Sequence, residues 1–280
     1  MNEDGVSMPP PEERSVEARF ARRVEMTVPD RRNPRLRDVI EWVNQDDDLY
    51  ALWTAGNVNA MERLGMTDHG PVHVKIVMNI GVKILRLLMD HGVEPSVVTS
   101  YGMDRTDAEV VVALASLLHD VGMSIQRSDH EAFSLFVAQD KLKEILPRLY
   151  DSRSATLIRA EVLHAIISHR SGGRPLTIEA GVVRLADALD MAKGRSRIPF
   201  EAGSVSIHSI SAASVERVTI EAGEEKPVRI RIDLVNSAGV FQLDKLLRDK
   251  LNGSGLEPYV EVVAGIEGDT EQRILGEFRI

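Results

Sequence analysis

The sequence predicts a mainly α protein: a helical bundle followed by a small C-terminal α+β domain of order β-β-α-β-β. Three observations predict it. From Arg35 to about Pro199, apolar residues recur at helical spacing in long segments separated by Gly, Pro and Asp breakers. After that the period falls to two in SVSIHSI, VERVTIEAG, PVRIRIDLV, YVEVVAGI and ILGEFRI, with one amphipathic stretch, FQLDKLLRDKLN, among them. Finally, Val110 to Gly122, VVVALASLLHDVG, is apolar almost all the way round a helix, as a buried central helix must be.

The predicted division is a polar tail over 1–34, a helical domain over 35–198 and an α+β domain over 199–280. The tail is Pro-rich, charged and aperiodic, which predicts a segment that is disordered or docked on a neighbour. Helical patterns follow in LRDVIEWV and LYALWTAGNVNAMERLG, with Asp46, Asp47 and Asp48 between them as a loop and helix start. Gly70 as cap and Pro71 at the first position open the next helix, which stops at His91-Gly92. Residues 93–106 read as a connection, and the central helix carries His119 and Asp120 in its last turn before Gly122 stops it. Another helix starts at His130. ATLIRAEVLHAIISHR holds His164 and His169, and Thr177 caps TIEAGVVRLADALDMAKG. The later strands around one helix predict a mainly antiparallel sheet covered on one face.

Composition narrows the chemistry. A net charge of −9 and 4% aromatic residues argue against broad polyanion binding and against a base-stacking platform. With no cysteine, thiolate metal sites, disulfides and cysteine nucleophiles are excluded. No apolar run is long enough to span a bilayer, and the N-terminus lacks a signal-peptide core, so a cytoplasmic protein without membrane contact is expected.

A histidine and a carboxylate at the end of a buried helix are costly unless something satisfies them, and a divalent metal takes both. An antiparallel bundle brings alternate helix ends to one mouth, which gathers His73, His119, Asp120, His130, His164, His169 and Asp187. His73, His119, Asp120 and Asp187 with waters suffice for one ion. His130 and His169 are candidates for a second, with Asp120 bridging. His164 lies five residues from His169, roughly 140° round a helix, so the two do not share an ion. Asp190 shares the face of Asp187 and is as well placed to orient a ligand as to bind metal. His69 and Asp68 read as loop residues bounding the cleft, and His208 as structural.

The ordered set HVKIV, LLHDVG and RLADALD, over roughly residues 60–195, resembles the HD superfamily of metal-dependent phosphohydrolases. The resemblance implies an HD-domain helical bundle. It makes His73, His119, Asp120 and Asp187 the metal ligands, with His130 and His169 matching the additional histidines of two-metal members. DHEAF through IISHRSGG and RLADALDMAKGRSR, with the strand-rich tail, is similar to the catalytic half of the RNase Y endoribonucleases. The transmembrane segment, coiled coil and KH domain of that family are not seen here. Two departures stand out. Met123 occupies a position where many HD enzymes carry lysine, and Arg170 follows His169 where many have paired histidines.

The expected activity is therefore hydrolysis of a phosphomonoester or phosphodiester, of a nucleotide or RNA-like substrate, by metal-activated water. His119 and Asp120 sit at the reacting centre, and Arg127 and Arg170 are expected to bind phosphate oxygens. Arg174, Lys193, Arg195 and Arg197 are further phosphate candidates. The cofactor is one or two divalent ions among Mn, Fe, Mg, Co and Zn. Two alternatives stay open: a catalytically weak metal- or nucleotide-binding regulatory module, motivated by Met123 and Arg170, and an endoribonuclease proper. The sheet of the C-terminal domain is expected to support a homodimer.

Overall fold

The computed structural model of the chain describes residues 15–21, 23–29, 32–191, 214–235, 247–266 and 278–279. Helix α1 (Val16–Ala21) is followed by an arm laid over α2 (Pro34–Gln45) and α3 (Asp47–Asn57). Met26 is buried, and its backbone N–H and carbonyl bond the Asn44 side chain at 2.8 and 2.9 Å. Val24 N–H donates to the Tyr50 hydroxyl at 3.2 Å, and Arg23 pairs with Asp47. Residues 23–29 are thus docked on the bundle itself, in place of the aperiodic tail that composition predicts. One buried Met and one Asn clamp are too little signal to show as a period.

The helix starts follow from their caps. Asn33 accepts from Leu36 N–H before α2, and Asp46 accepts from Leu49 N–H before α3, whose axis continues as a widened π turn over Val58–Arg63. Helix α4 (Pro71–Asp90) begins after Gly70 and ends beside Gly92, whose φ of 82° suits glycine. The predicted connection over 93–106 contains a short helix, α5 (Ser96–Tyr101). It forms because the Glu179 carboxylate accepts from Ser96 and Val97 N–H at 3.1 and 3.0 Å, a partner 83 and 82 residues away.

Helix α6 (Arg105–Leu118) is the central helix, with every residue from Asp107 to Leu118 buried. It starts five residues earlier than its apolar run, at a capping box between Asp104 and Asp107. It also ends earlier: His119 is the C-cap, Asp120 lies outside, and Val121–Ser124 form a separate 3₁₀ turn. Helices α7 (His130–Leu149), α8 (Ser152–Ser168) and α9 (Ile178–Leu189) complete the bundle, with the Thr177 hydroxyl accepting from Ala180 N–H at the start of α9. Each fully buried Leu or Val in this core contributes about 1.5–3 kcal/mol from the removal of apolar surface from water.

The C-terminal sheet comprises β1 (Val215–Ala222), β2 (Val228–Leu234), β3 (Val260–Ile266) and β4 (Phe278–Arg279), with helix α10 (Arg248–Leu251) between β2 and β3. The spatial order is β1-β2-β3-β4. The outer pairs are antiparallel, but β2 and β3 are parallel, because the chain crosses over through α10 instead of turning back in a hairpin. Val228, Ile230, Ile232 and Leu234 are buried and join the same hydrophobic cluster as α4, α6 and α9. The predicted strand SVSIHSI with His208, and most of FQLDKLL, lie outside the described residues.

Candidate metal centre

Each candidate ligand sits near where a helix begins or ends, and three of the histidines are aimed by a bond made with their other ring nitrogen. His73, third residue of α4, directs Nδ1 at Asp190 Oδ2, 2.6 Å away. His119 directs Nδ1 at the Ser116 carbonyl at 2.8 Å, and His169, the C-cap of α8, directs Nδ1 at the Ile166 carbonyl at 2.6 Å. A carbonyl or carboxylate can only accept, so Nδ1 carries a proton in all three rings, and Nε2 is the nitrogen left to offer a lone pair whenever the ring is neutral.

Those lone pairs converge. His73 Nε2 and His119 Nε2 are 3.2 Å apart. Asp120 Oδ2 lies 3.4 Å from the first and 3.3 Å from the second. Asp187 Oδ1 lies 3.6 and 3.7 Å from the same two atoms. Atoms this electron-rich and this close, in a buried position, need a positive charge among them, which a divalent metal supplies and which, without metal, the proton on His119 supplies. Atoms about 2.1 Å from one ion stand roughly 3.0–3.4 Å apart, so the donor set fits a divalent metal in chemistry, with Asp187 Oδ1 a few tenths of an ångström farther out than a bound ion would draw it.

The second carboxylate oxygen of Asp120 faces the other way. Its Oδ1 is 3.0 Å from His130 Nε2 and 3.7 Å from His169 Nε2. His130 opens α7 and is buried, so it is no surface cap. Glu131, its neighbour, also falls within a group of possible ligand atoms with His130 and His169. No sequence signal singles out Glu131, because a Glu in the first turn of a helix is commonplace. Asp120 therefore stands between two donor groups, one oxygen toward each.

Electrostatics follows from this crowding. Burial pulls the His119 imidazole toward neutrality, but the Asp120 and Asp187 carboxylates override it and push its pKa up to about 10. Burial lowers the pKa of His169 to about 3, helped by the positive charge on His119. Asp120 and Asp187 are held well below the usual carboxylate range. Burial opposes this; His119 dominates the lowering at Asp120, and Lys250 together with His119 at Asp187. In the absence of metal the centre holds a proton on His119, where a metal would hold its lone pair.

The remaining predicted residues separate. Arg127 is exposed and brings its guanidinium within 2.8 Å of His130 Nδ1, which also lies 3.1 Å from the Arg127 carbonyl. Arg170 is exposed; the contact the structure gives it is at its carbonyl, which accepts from Arg184 at 2.6 Å. Its guanidinium touches no metal-centre residue among the described residues. His164 accepts the Leu176 N–H at 3.0 Å and so clamps the 170s loop, away from the centre. His69 stacks at 5.6 Å from the His73 ring, at the edge of the cleft, while Asp68 accepts the Gly70 N–H. Met123 is buried against Gly56 and presents nothing to the cleft. Arg174 is exposed, and Lys193, Arg195 and Arg197 lie outside the described residues.

One residue that sequence reasoning does not reach is Lys250 on α10. Its ammonium donates to Asp187 Oδ2 at 3.1 Å and to the His169 carbonyl at 2.5 Å. Its position in a different part of the chain, 63 residues from Asp187, leaves no local signal.

A bundle that presents His, His-Asp and Asp from successive helix ends to one buried cluster is the architecture of an HD domain. The HD-domain family profile matches residues 73–192. The chain belongs to this family, a superfamily of metal-dependent hydrolases. It is 46% identical over 211 residues to an uncharacterized protein of Methanocaldococcus jannaschii, covering 75% of this chain and 82% of that protein. It is 24% identical over 241 residues to ribonuclease Y of Acholeplasma laidlawii, covering 80% of this chain. With ribonuclease Y of Thermoanaerobacter pseudethanolicus it shares 26% over 230 residues, covering 78%. In both cases the match spans 42% of the ribonuclease. No solved structure matches the chain.

Proposed function

We propose that the protein is a metal-dependent phosphohydrolase that cleaves a phosphomonoester or phosphodiester, with a nucleotide or RNA-like substrate. The observation that carries this reading is the split of Asp120, with Oδ2 toward His73 and His119 and Oδ1 toward His130 and His169. His73, His119, Asp120 and Asp187 would hold one divalent ion, and Asp120, His130 and His169 would hold a second. Ions bound there supply Lewis acidity toward a phosphoryl oxygen and bring the pKa of water toward neutrality.

The chain's own contribution is to hold this set rigid. The bonds from Asp190, Ser116 and Ile166 fix three imidazoles in the ligating tautomer, so no ring has to turn on binding. His169 stays neutral across the physiological range. With no cysteine in the chain, a water nucleophile suits the site better than a thiolate covalent route. Arg127 beside His130 would meet a phosphate at the rim, and the exposed guanidinium of Arg170, next to His169 in the chain, is a second candidate. The similarity to two ribonucleases Y favours RNA as one substrate class. A homodimer through the sheet edge at β1, the outer strand among the described residues, belongs to the same proposal.

The test is turnover of aryl phosphomonoesters and bis-aryl phosphodiesters with manganese or iron, beside a panel of nucleotides and short RNAs. Hydrolysis that is abolished by chelator and by Asp120→Ala supports the proposal. Equal turnover by Asp120→Ala, or metal-dependent melting without turnover on any substrate, overturns it; the latter outcome identifies a regulatory module.

A further inference from the structure

Lys250 is out of place as mere support for a metal ligand. An ammonium beside a divalent cation is repelled by it, the more so where burial lowers the effective dielectric constant. For metal binding alone, the repulsion works against whatever the lysine gains by orienting Asp187. A site that must also accept an anion gains from such a neighbour.

Three features define what this lysine can meet. Its ammonium has three donors, of which Asp187 Oδ2 and the His169 carbonyl take two, and the third has no protein acceptor among the described residues. The side chains of Lys250 and Asp187 are 22% and 19% exposed, while His73 and His119 are fully enclosed, so solvent reaches the centre on the lysine side. The position is also built. Arg184, buried in α9, donates to the carbonyls of Asp249 and Lys250 on one side and of Ser168 and Arg170 on the other. That guanidinium ties α10 to the end of α8, which carries His169. At Gly181 a Cβ would stand 2.4 Å from the Ser254 carbonyl, so α9 and the segment after α10 are in backbone contact.

We propose that Lys250 binds a non-bridging phosphate oxygen of the substrate at the mouth of the metal centre, and that the C-terminal unit completes the active site through it. The proposal rests on the phosphohydrolase reading. The bond to Asp187 Oδ2 keeps Oδ1 turned to the histidines, and the free N–H points the lysine's charge to the side from which an anion enters. A buried-side cation at this place also offsets the net acidity of the chain where a phosphate has to approach.

The experiment is calorimetric titration of the full chain with Mn²⁺, then of the Mn²⁺-saturated protein with inorganic phosphate, for wild type, Lys250→Met and Lys250→Arg. The methionine keeps the stem and removes the charge. Expected are Mn²⁺ binding by Lys250→Met as tight as wild type or tighter, phosphate binding weakened about tenfold or more, and phosphate binding largely restored in Lys250→Arg. Equal phosphate affinity in wild type and Lys250→Met overturns the proposal, as does a loss of Mn²⁺ affinity matching the loss of phosphate, which would make Lys250 a support for Asp187 alone. Failure of the wild type to bind any of Mn²⁺, Fe²⁺, Mg²⁺, Co²⁺ and Zn²⁺ refutes the phosphohydrolase reading itself.

Discussion

His73 and Asp190, 117 residues apart in the chain, share a buried hydrogen bond of 2.6 Å from Nδ1 to Oδ2. Asp190 is the C-cap of α9, the helix that also carries Asp187. One helix end therefore supplies a metal-facing carboxylate and, three residues on, the carboxylate that orients another ligand. Removing such a partner typically costs 10–100-fold in metal affinity. Asp190→Ala is expected to weaken Mn²⁺ binding by about that factor, and Asp190→Asn, which keeps an acceptor oxygen but not the charge, by less. Titration of the three proteins with Mn²⁺ tests the order. Equal affinities would mean that the bond does not aim His73.

Asp120 and His130 differ in reach. If Asp120 serves both donor groups, Asp120→Ala loses both metal equivalents, whereas His130→Ala loses one and keeps the other. Elemental analysis of protein prepared without chelator reads this directly. A full equivalent retained by Asp120→Ala would refute the sharing.

What the sequence exposes and what it hides divides by range. Asp46, Thr177 and the Gly70-Pro71 pair are legible because a helix cap is a local contact, settled within three or four residues. The histidines and Asp187 are legible as a set because polar side chains recur at the ends of apolar helices. The roles of their partners are not. Asp190 looks the same as Asp187 in a helical wheel, yet it meets His73 Nδ1 while Asp187 faces Nε2. Helix α5 depends on Glu179, and the parallel pairing of β2 with β3 depends on where α10 docks. Lys250 depends on that same docking. Arg184 shows the same: its guanidinium binds the carbonyls of Ser168 and Arg170 on one side and of Asp249 and Lys250 on the other, contacts that no local pattern announces.

The pH dependence of stability follows from His119. Its pKa rises from an ordinary 6.5 to about 10 in the folded, metal-free protein, because the Asp120 and Asp187 carboxylates outweigh burial. A raised pKa stabilises fully below the unfolded value and the contribution fades as pH climbs through the folded one. Asp120 and Asp187 are shifted the other way, so their contribution is present above an ordinary 3.8 and is lost as pH falls further. His169, with its pKa lowered to about 3, works against folding as pH falls below 6.5, so the metal-free protein should melt highest near pH 6.5 and lose stability both toward pH 10 and toward pH 3. Metal replaces the His119 proton, so the gain in melting temperature on adding Mn²⁺ should widen between pH 6 and pH 9. Calorimetric scans with and without metal measure it, and a gain independent of pH would remove His119 from the proton balance.

Gly122 shows a backbone requirement with a consequence for the centre. As the residue after His119-Asp120-Val121 it looks like a simple helix stop, but the helix has already ended at Leu118. The reason for glycine is proximity: a Cβ at this position would lie 2.1 Å from the His130 carbonyl and 2.5 Å from Ser134 N, both backbone atoms that cannot turn away. The Gly122 N–H, in turn, donates to the Ser134 hydroxyl at 2.9 Å. The 3₁₀ turn after Asp120 is thereby pressed against the start of α7, which fixes His130 relative to Asp120. Gly122→Ala must push α7 outward, at a cost of about 2–3 kcal/mol, and should displace His130 from the second donor group. Gly92→Ala is the matched control, since its Cβ meets nothing and only its φ of 82° opposes the change. The expected result is a lower melting temperature for both variants, larger for Gly122→Ala, with one metal equivalent lost in Gly122→Ala alone. Retention of wild-type stoichiometry by Gly122→Ala would show that the turn and α7 can separate without moving His130.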